Sequence, residues 1–402
     1  MSHIVVVGAG QAGQQICATL RDKGFDGRLT LIGAEPHPPY QRPPLSKGYL
    51  LGEMARERLF LKPEAWYADH GIDLRLGTPA TDIDPDARTL RLGDEVVHWD
   101  QLAIATGLDA RTVSADAGGD LDGVFTVRNL ADVDRMEAPL KAARNVVVVG
   151  GGYIGLEAAA VARKLGAEVT VVEAGQRILG RVASVETAGV MRDLHARNGV
   201  TIREDARLDR LVGEGRVTAA HLESGEELPA DVVIVGIGLV PRCEIAAMAG
   251  LDCDGGVVVD ACGRTSAPDI WAAGDCALFP YRGSLTRLES VQNAIDMGQA
   301  VARNMLGTEE PYSPLPWFWS DQYDVKLQIA GLNTGYDRVV MRGAGQVPVS
   351  LWYFCGDELR AVDSIGDGRA YMVGKRLLES GARVTPEEVA DPDTDLKALL
   401  KR

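Results

Sequence analysis

Two stretches of this chain carry the same glycine spacing. Residues 4–7 are apolar and lead into Gly8, Gly10 and Gly13; residues 146–149 lead in the same way into Gly150, Gly152 and Gly155. An acid ends the next apolar run each time, Glu35 after residues 29–32 and Glu173 after residues 169–172. The first glycine of such a set makes a tight turn out of a strand. The second lets backbone approach a pyrophosphate, and the third lets a helix pack closely on the strand. The helix N-terminus offers free N–H groups and partial positive charge to phosphates, and the acid accepts hydrogen bonds from ribose hydroxyls. One copy of the pattern can be an ordinary loop. Two copies, each with its strand and acid, predict two bound dinucleotides and electrons passing between them.

The elements that position these residues are two βαβ units, so the expected fold is α/β with two Rossmann-like dinucleotide-binding domains. A length of 402 residues allows two to four domains. The formal charge of −15 argues against a nucleic-acid footprint and against adhesion to anionic membranes. No apolar run approaches membrane-spanning length, and the first one is short and lacks a basic leader, so a cytoplasmic location is expected. The six cysteines form no C-x-x-C pair and read as reduced thiols, and the histidines form no spaced cluster, so no metal site is expected.

Along the chain, a proline-rich loop over residues 36–47 follows the first unit, then helical character towards Trp66 and short strands near 74–76 and 89–92. Residues 102–106 read as a buried strand ending at Gly107, and 109–123 as a boundary. The helix of the second unit runs through 157–165 and stops at Gly166. Residues 216–222 and 227–231 form a hairpin and its exit, and 232–235 a buried strand entering Gly236, Ile237 and Gly238. Residues 270–273 form a strand that delivers Gly274 and Asp275, and 290–306 form a helix. After Pro311, Pro314 and Pro316, strands at 326–330, 339–342, 347–354 and 359–365, a helix at 371–380 and a polar tail predict an antiparallel α+β domain.

These motifs, with Arg42-Pro-Pro-Leu-Ser-Lys47, Ala105-Thr106-Gly107, the run from Gly150 through Tyr153 and Ile154 to Glu157, Ala273-Gly-Asp275, Glu289-Ser290-Val291-Gln-Asn293 and Pro316-Trp-Phe-Trp319-Ser-Asp-Gln322, stand in one order over nearly the whole length. In this the chain resembles the FAD-dependent, NADH-utilising ferredoxin reductases of bacterial oxygenase systems. The resemblance implies an FAD domain from residues 1–110 and 240–312, an NADH domain at 111–239 and a C-terminal α+β domain at 313–402 that covers one face of the flavin. It assigns non-covalent FAD to the first fingerprint and NADH, as substrate, to the second. The implied FAD contacts are Gly8, Gly10, Ala12, Gly13, Glu35, Arg42, Lys47, Ala80, Ala105, Thr106, Gly107, Arg128, Asp275, Ser290, Val291 and Trp319. Those implied for NADH are Gly150, Gly152, Tyr153, Ile154, Gly155, Glu157, Glu173, Gly236, Ile237 and Gly238.

Several residues carry two readings. Some relatives place an acid directly after the glycine that ends the second strand, whereas this chain has Ala34 before Glu35, so its ribose contact is shifted or lost. Asp275 is a ligand of the ribityl or phosphate region, a helix N-cap, or both. Arg42 and Arg128 are FAD contacts or surface arginines. In the resemblance Lys47 and Glu157 meet beside the reactive flavin edge, where a buried cation stabilises the reduced form; otherwise they are a surface lysine and a helix-start glutamate. Glu173 selects NADH, because at about 4 Å it would repel a 2′-phosphate by roughly 1–4 kcal/mol. Arg177 and Arg181 would soften that preference, and the other reading of Glu173 is a solvated loop acid. Trp319 stacks near the flavin or nicotinamide, or is a core tryptophan.

The implied activity is hydride transfer from NADH to FAD and single-electron delivery to a [2Fe–2S] ferredoxin feeding a haem monooxygenase or a ring-hydroxylating dioxygenase. Rubredoxin reductase and NADH oxidase are alternatives, and a redox-dependent binding flavoprotein is one of another class. A disulfide reductase would need a cysteine pair in residues 33–61, which contain none. An acidic ferredoxin would need a local positive patch, for which Arg282, Arg287, Arg303, Lys326 and Arg338 are the candidates.

Overall fold

A computed structural model describes residues 2–401. Val, Ile and Leu at consecutive positions of the lead-in strands leave neither face polar, the pattern of strands covered on both sides. His3–Val7 accordingly lies in the middle of a five-stranded sheet, between Arg28–Ile32 and Gln101–Ile104, with Ile72–Arg75 and Ile270–Ala272 at the edges. All four pairings are parallel, and Val5 stands opposite Thr30 and Leu102. The second fingerprint repeats this arrangement. Asn145–Val149 lies between Glu168–Val172 and Val232–Val235, with Val200–Arg203 and Val124–Thr126 at the edges, again all parallel. Val147 stands opposite Thr170 and Val233.

The third sheet is antiparallel, in the order Trp317–Gln322, Val325–Gly331, Glu358–Ile365, Val349–Cys355, Arg338–Arg342. The fold is thus α/β, two Rossmann-like sheets with an antiparallel α+β region. The chain divides into two compact units. One holds the described residues up to Arg42 with Arg56–Asp109 and Leu239–Pro314; the other holds Pro43–Ala55, Ala110–Gly238 and the described residues from Leu315 on.

The structure departs from expectation at several places, including these four. The tail is not simply polar: Leu396 and Leu399 are buried with Trp352, Phe354, Val373 and Val389 in one core cluster. Trp317–Gln322 is a strand that the run of aromatics concealed. The helix expected at 371–380 begins at Gly368, because the Asp367 side chain caps it by accepting from the Ala370 N–H. A further helix, Val185–Arg197, starts at Ser184, whose hydroxyl accepts from the Thr187 N–H.

Candidate functional site: two dinucleotide cradles and a buried ion pair

The glycines of the first fingerprint divide by cause. A Cβ on Gly8 would lie 2.1 Å from the carbonyl oxygen of Ala105, and one on Gly13 would lie 1.9 Å from that of Gly8. The fold itself therefore forbids side chains there. Gly10 differs: it has an ordinary extended backbone (φ −101°), and no other described part of the chain comes within 4 Å of a Cβ built on it. Neither sterics nor dihedral strain asks for glycine at that position. The space beside it, at the open N-terminus of the helix Gln11–Asp22, fits a pyrophosphate.

The same unit brings further expected residues around this turn. Gly274, at φ +79°, passes so near the helix that a Cβ on it would sit 2.8 Å from that of Ala12. Asp275 follows in the short turn Gly274–Cys276, not as the cap of a long helix, and its Oδ1 is buried. Ala105 and Thr106 continue from the strand Gln101–Ile104; the Thr106 hydroxyl donates to the Arg242 carbonyl at 2.5 Å. Gly107 turns the chain at φ +71°. Ser290 caps the helix Val291–Met305 by accepting from the Asn293 N–H, which fixes Val291 at its first position. Ala80 is half-buried in the loop before the strand Asp82–Asp84.

Glu35 is held by protein partners. Its carboxylate accepts from the Tyr40 hydroxyl at 2.6 Å and from Arg42 at 2.7 Å. Burial pushes this carboxyl up, but Arg42 and Tyr40 outweigh burial and hold it below the usual range. Arg42 also feels Asp275, so it is not simply a surface arginine.

The second cradle repeats the logic in the other unit. A Cβ on Gly150 would meet the carbonyl oxygen of Gly236 at 2.3 Å, and one on Gly155 would meet that of Gly150 at 2.1 Å. Gly152, at φ −80°, has no other described part of the chain within 4 Å of a Cβ. Glu173 closes over the turn, accepting from the N–H groups of Gly151 and Gly175, each at 2.7 Å. Arg177 is bonded to carbonyls of its own loop rather than to Glu173. Arg181 and Arg111 reach within 3.5 and 3.7 Å of where a Cβ on Gly238 would be. Ile237 is 40% exposed and Ile154 half-buried. The Tyr153 ring packs on Phe318 at 4.7 Å, and burial, then Asp363, keep its hydroxyl protonated.

Also in the second unit, the Lys47 ammonium lies 2.6 Å from Glu157 Oε2. Glu157 is 4% exposed and stands near the start of the helix Tyr153–Lys164. It accepts two further hydrogen bonds, from the Ser46 hydroxyl at 2.5 Å and the Ser320 hydroxyl at 2.6 Å. A buried carboxylate thus has a counter-ion and two neutral donors, the condition under which burying it is tolerable. Sequence reading missed Ser46, Ser320 and Tyr40 as partners, although the quoted motifs contain both serines. Arg128 and Trp319 belong to this unit as well. The Arg128 N–H donates to Asp132 at 3.0 Å. Trp319 is half-buried on its strand with its ring 5.6 Å from that of Trp317, so it is not a core tryptophan.

Four of the five basic candidates have an acidic partner. Arg287 pairs with Glu289, Arg303 with Glu310, Lys326 with Asp321 and Arg338 with Glu387, while Arg282 lies over the Tyr281 ring. Among the described residues no group of three or more His, Cys, Asp or Glu is placed to hold a metal, and no helix is long and apolar enough to cross a membrane. All six cysteines are free; burial pushes the thiols of Cys17 and Cys276 up, away from the reactive thiolate.

Residues 2–298 match the family model described as pyridine nucleotide-disulphide oxidoreductase, and 317–400 match the reductase C-terminal model. The chain is 42% identical to rhodocoxin reductase of Rhodococcus erythropolis, over 99% of this chain and 94% of that one. It is similar in structure to the ferredoxin reductase for the CYP199A2 system from Rhodopseudomonas palustris (TM-score 0.96, 39% identity, 99% of each chain). It is equally similar to the reductase in the covalent putidaredoxin reductase–putidaredoxin complex (TM-score 0.96, 36% identity, 100% of this chain and 98% of that one). Twin cradles, a buried ion pair and likeness over the whole length lead to one assignment: the chain belongs to the pyridine nucleotide-disulphide oxidoreductases, in the branch of the ferredoxin reductases of oxygenase systems.

Proposed function

We propose that this chain is an NADH:ferredoxin oxidoreductase that holds FAD non-covalently and delivers electrons singly to a [2Fe–2S] ferredoxin serving an oxygenase. The observation that carries this reading is the pair of middle glycines, Gly10 and Gly152, for which the chain supplies no reason of its own. Likeness to rhodocoxin reductase and to putidaredoxin reductase supports a ferredoxin as acceptor.

FAD, when bound, supplies the chemistry that accepts two electrons and releases them one at a time. The chain supplies binding, orientation and charge. The turn from Gly8 to Gly13 receives the pyrophosphate, with Ala12 and the free N–H groups of its helix alongside. Glu35, fixed by Tyr40 and Arg42, faces the adenosine ribose. Asp275 accepts from the ribityl region, and Ala80, Ala105, Thr106, Gly107, Arg128, Ser290 and Val291 complete the FAD contacts. Lys47 would bring positive charge to the reducible ring, and Glu157 holds its ammonium at a tolerable desolvation cost. Trp319 would offer a flat aromatic face to the rings.

Gly150, Gly152 and Gly155 receive the NADH pyrophosphate, with Tyr153, Ile154, Gly236, Ile237 and Gly238 around it and Glu173 on the ribose. The acidic partners of Arg287, Arg303, Lys326 and Arg338 argue against a ferredoxin contact resting on these four. Residues 33–61, where a disulfide reductase would carry its redox pair, contain no cysteine, which speaks against a thiol relay there.

An anaerobic titration with NADH, followed by flavin absorbance, tests the reading. Bleaching by NADH and rapid recovery on adding a [2Fe–2S] ferredoxin is the expected result. Recovery that waits for oxygen would favour an oxidase, and a colourless protein that takes up no FAD would sink the proposal.

A further inference from the structure

A line of buried side chains runs outward from Glu157 within the second unit. The Ser320 hydroxyl donates to Glu157 Oε1 at 2.6 Å, and the Gln322 amide donates to Ser320 Oγ at 3.0 Å. Gln322 Oε1 faces His195 Nε2 at 2.7 Å, and His195 Nδ1 faces the Tyr323 hydroxyl at 3.0 Å. His195 and Ser320 are fully buried, and Gln322 is 1% exposed.

Glu157, ion-paired with Lys47, dictates every direction along this line. A carboxylate only accepts, so Ser320 must spend its single proton on it. Ser320 then has only lone pairs for Gln322, which must turn its NH2 inward. A flipped amide would set two oxygens face to face at 3.0 Å in a dry interior, the costliest arrangement for buried polar groups. With its NH2 inward, Gln322 presents an oxygen to His195, which must carry its proton on Nε2. His195 Nδ1 is left as an acceptor, and Tyr323 donates to it.

Two observations fit this assignment. Burial holds His195 below its ordinary range against the Gln322 bond, so the ring is neutral near pH 7, and burial keeps the Tyr323 hydroxyl protonated. Tyr323 also sits at φ +57°, a left-handed conformation unusual for an aromatic residue, in the turn after Trp317–Gln322. That turn sets its ring edge-on to His195 at 5.1 Å.

We propose that His195 is a positioning residue for the Lys47–Glu157 pair, acting through Gln322 and Ser320 to hold Glu157 in the orientation that receives Lys47. An amide in the line rules out proton hopping along it; what passes is orientation. The role rests on the reading of Lys47 and Glu157 as neighbours of the flavin.

The test joins two readouts on the full-length protein. In protein labelled with 15N-histidine, assigned by the signal missing from His195→Leu, the His195 ring should be the neutral tautomer protonated on Nε2. The tautomer protonated on Nδ1 would overturn the line. In stopped-flow reduction of the FAD-loaded protein by NADH, His195→Leu should slow the reaction about tenfold, and His195→Gln, which returns an N–H donor, should recover to within about threefold. In a Glu157→Gln background the His195→Leu change should alter the rate less than about twofold, because its effect travels through Glu157. A loss that persists undiminished in that background marks a merely structural role. If Glu157→Gln is slow while His195→Leu reduces at the wild-type rate, His195 has no such role and the proposed function stands. If Glu157→Gln itself reduces at the wild-type rate, the placement of the pair beside the flavin falls, and the role of His195 with it.

Discussion

The ammonium of Lys47 lies 2.6 Å from the Glu157 carboxylate, yet the two side chains differ in solvation, 21% against 5% exposed. Removing either one is therefore not the same experiment. Lys47→Met strands a buried carboxylate with two hydroxyls, and should cost about 3 kcal/mol, near the lower end for breaking a buried pair. Glu157→Gln leaves a partly solvated ammonium and should cost about 1 kcal/mol. Urea unfolding of both variants checks the order.

Gly10 and Gly152 separate loading from folding. Each has a backbone that alanine adopts freely, so Gly10→Ala should leave the FAD-free protein as stable as before or about 0.5 kcal/mol more stable. It should weaken FAD binding by about thirtyfold, equivalent to about 2 kcal/mol of overpacking. Gly152→Ala should retain flavin and lose reduction by NADH. Gly8→Ala should instead fail to fold, because the obstruction is the Ala105 backbone. Thermal melting with a flavin titration distinguishes the three.

Glu173 sets the choice of nucleotide while also bracing its own turn. Glu173→Gln removes the charge that repels a 2′-phosphate but keeps an acceptor for one of the two N–H groups. The ratio of kcat/KM for NADH to that for NADPH should fall at least about fivefold, the low end of the Coulomb estimate. Steady-state kinetics with both nucleotides measures it. An unchanged ratio would mean that Glu173 serves the turn alone.

Asp363 predicts a pH signature in stability. It is fully buried, with Oδ2 accepting from Thr187 and Tyr353, and burial raises its carboxyl from an ordinary 3.8 to about 6. Between those values the folded state binds more protons than the unfolded one, so this group's contribution is fully present below about pH 4 and lost as pH rises through about 6. The loss amounts to about 3 kcal/mol. Asp363→Asn keeps an acceptor and has no charge to bury. The stability difference between variant and wild type should shift in the variant's favour from pH 4 to 7, read from urea midpoints.

The glycine fingerprints, their flanking strands and the helix beginning near Ser290 were legible because their causes are local. Lys47 and Glu157 were paired only through family resemblance, since nothing near either residue names the other. Ser46 and Ser320 stayed hidden as partners for the same reason: they reach Glu157 across 111 and 163 residues. Leu396 and Leu399 were masked by charged neighbours, and a short turn rather than a long amphipathic helix buries them. The basic candidates looked like a patch because sequence shows charge but not its neutralising partner.

The discontinuity of the first unit sets an order of events during synthesis. Its sheet needs Ile270–Ala272 beside Gln101–Ile104, and Asp275 and the helix Val291–Met305 come later still. The second parallel sheet has emerged in full once Val232–Val235 has left the ribosome. Its strands can therefore pair while the earlier half of the chain still waits for its missing edge. On a nascent chain the last cradle to close is the one written first in the message.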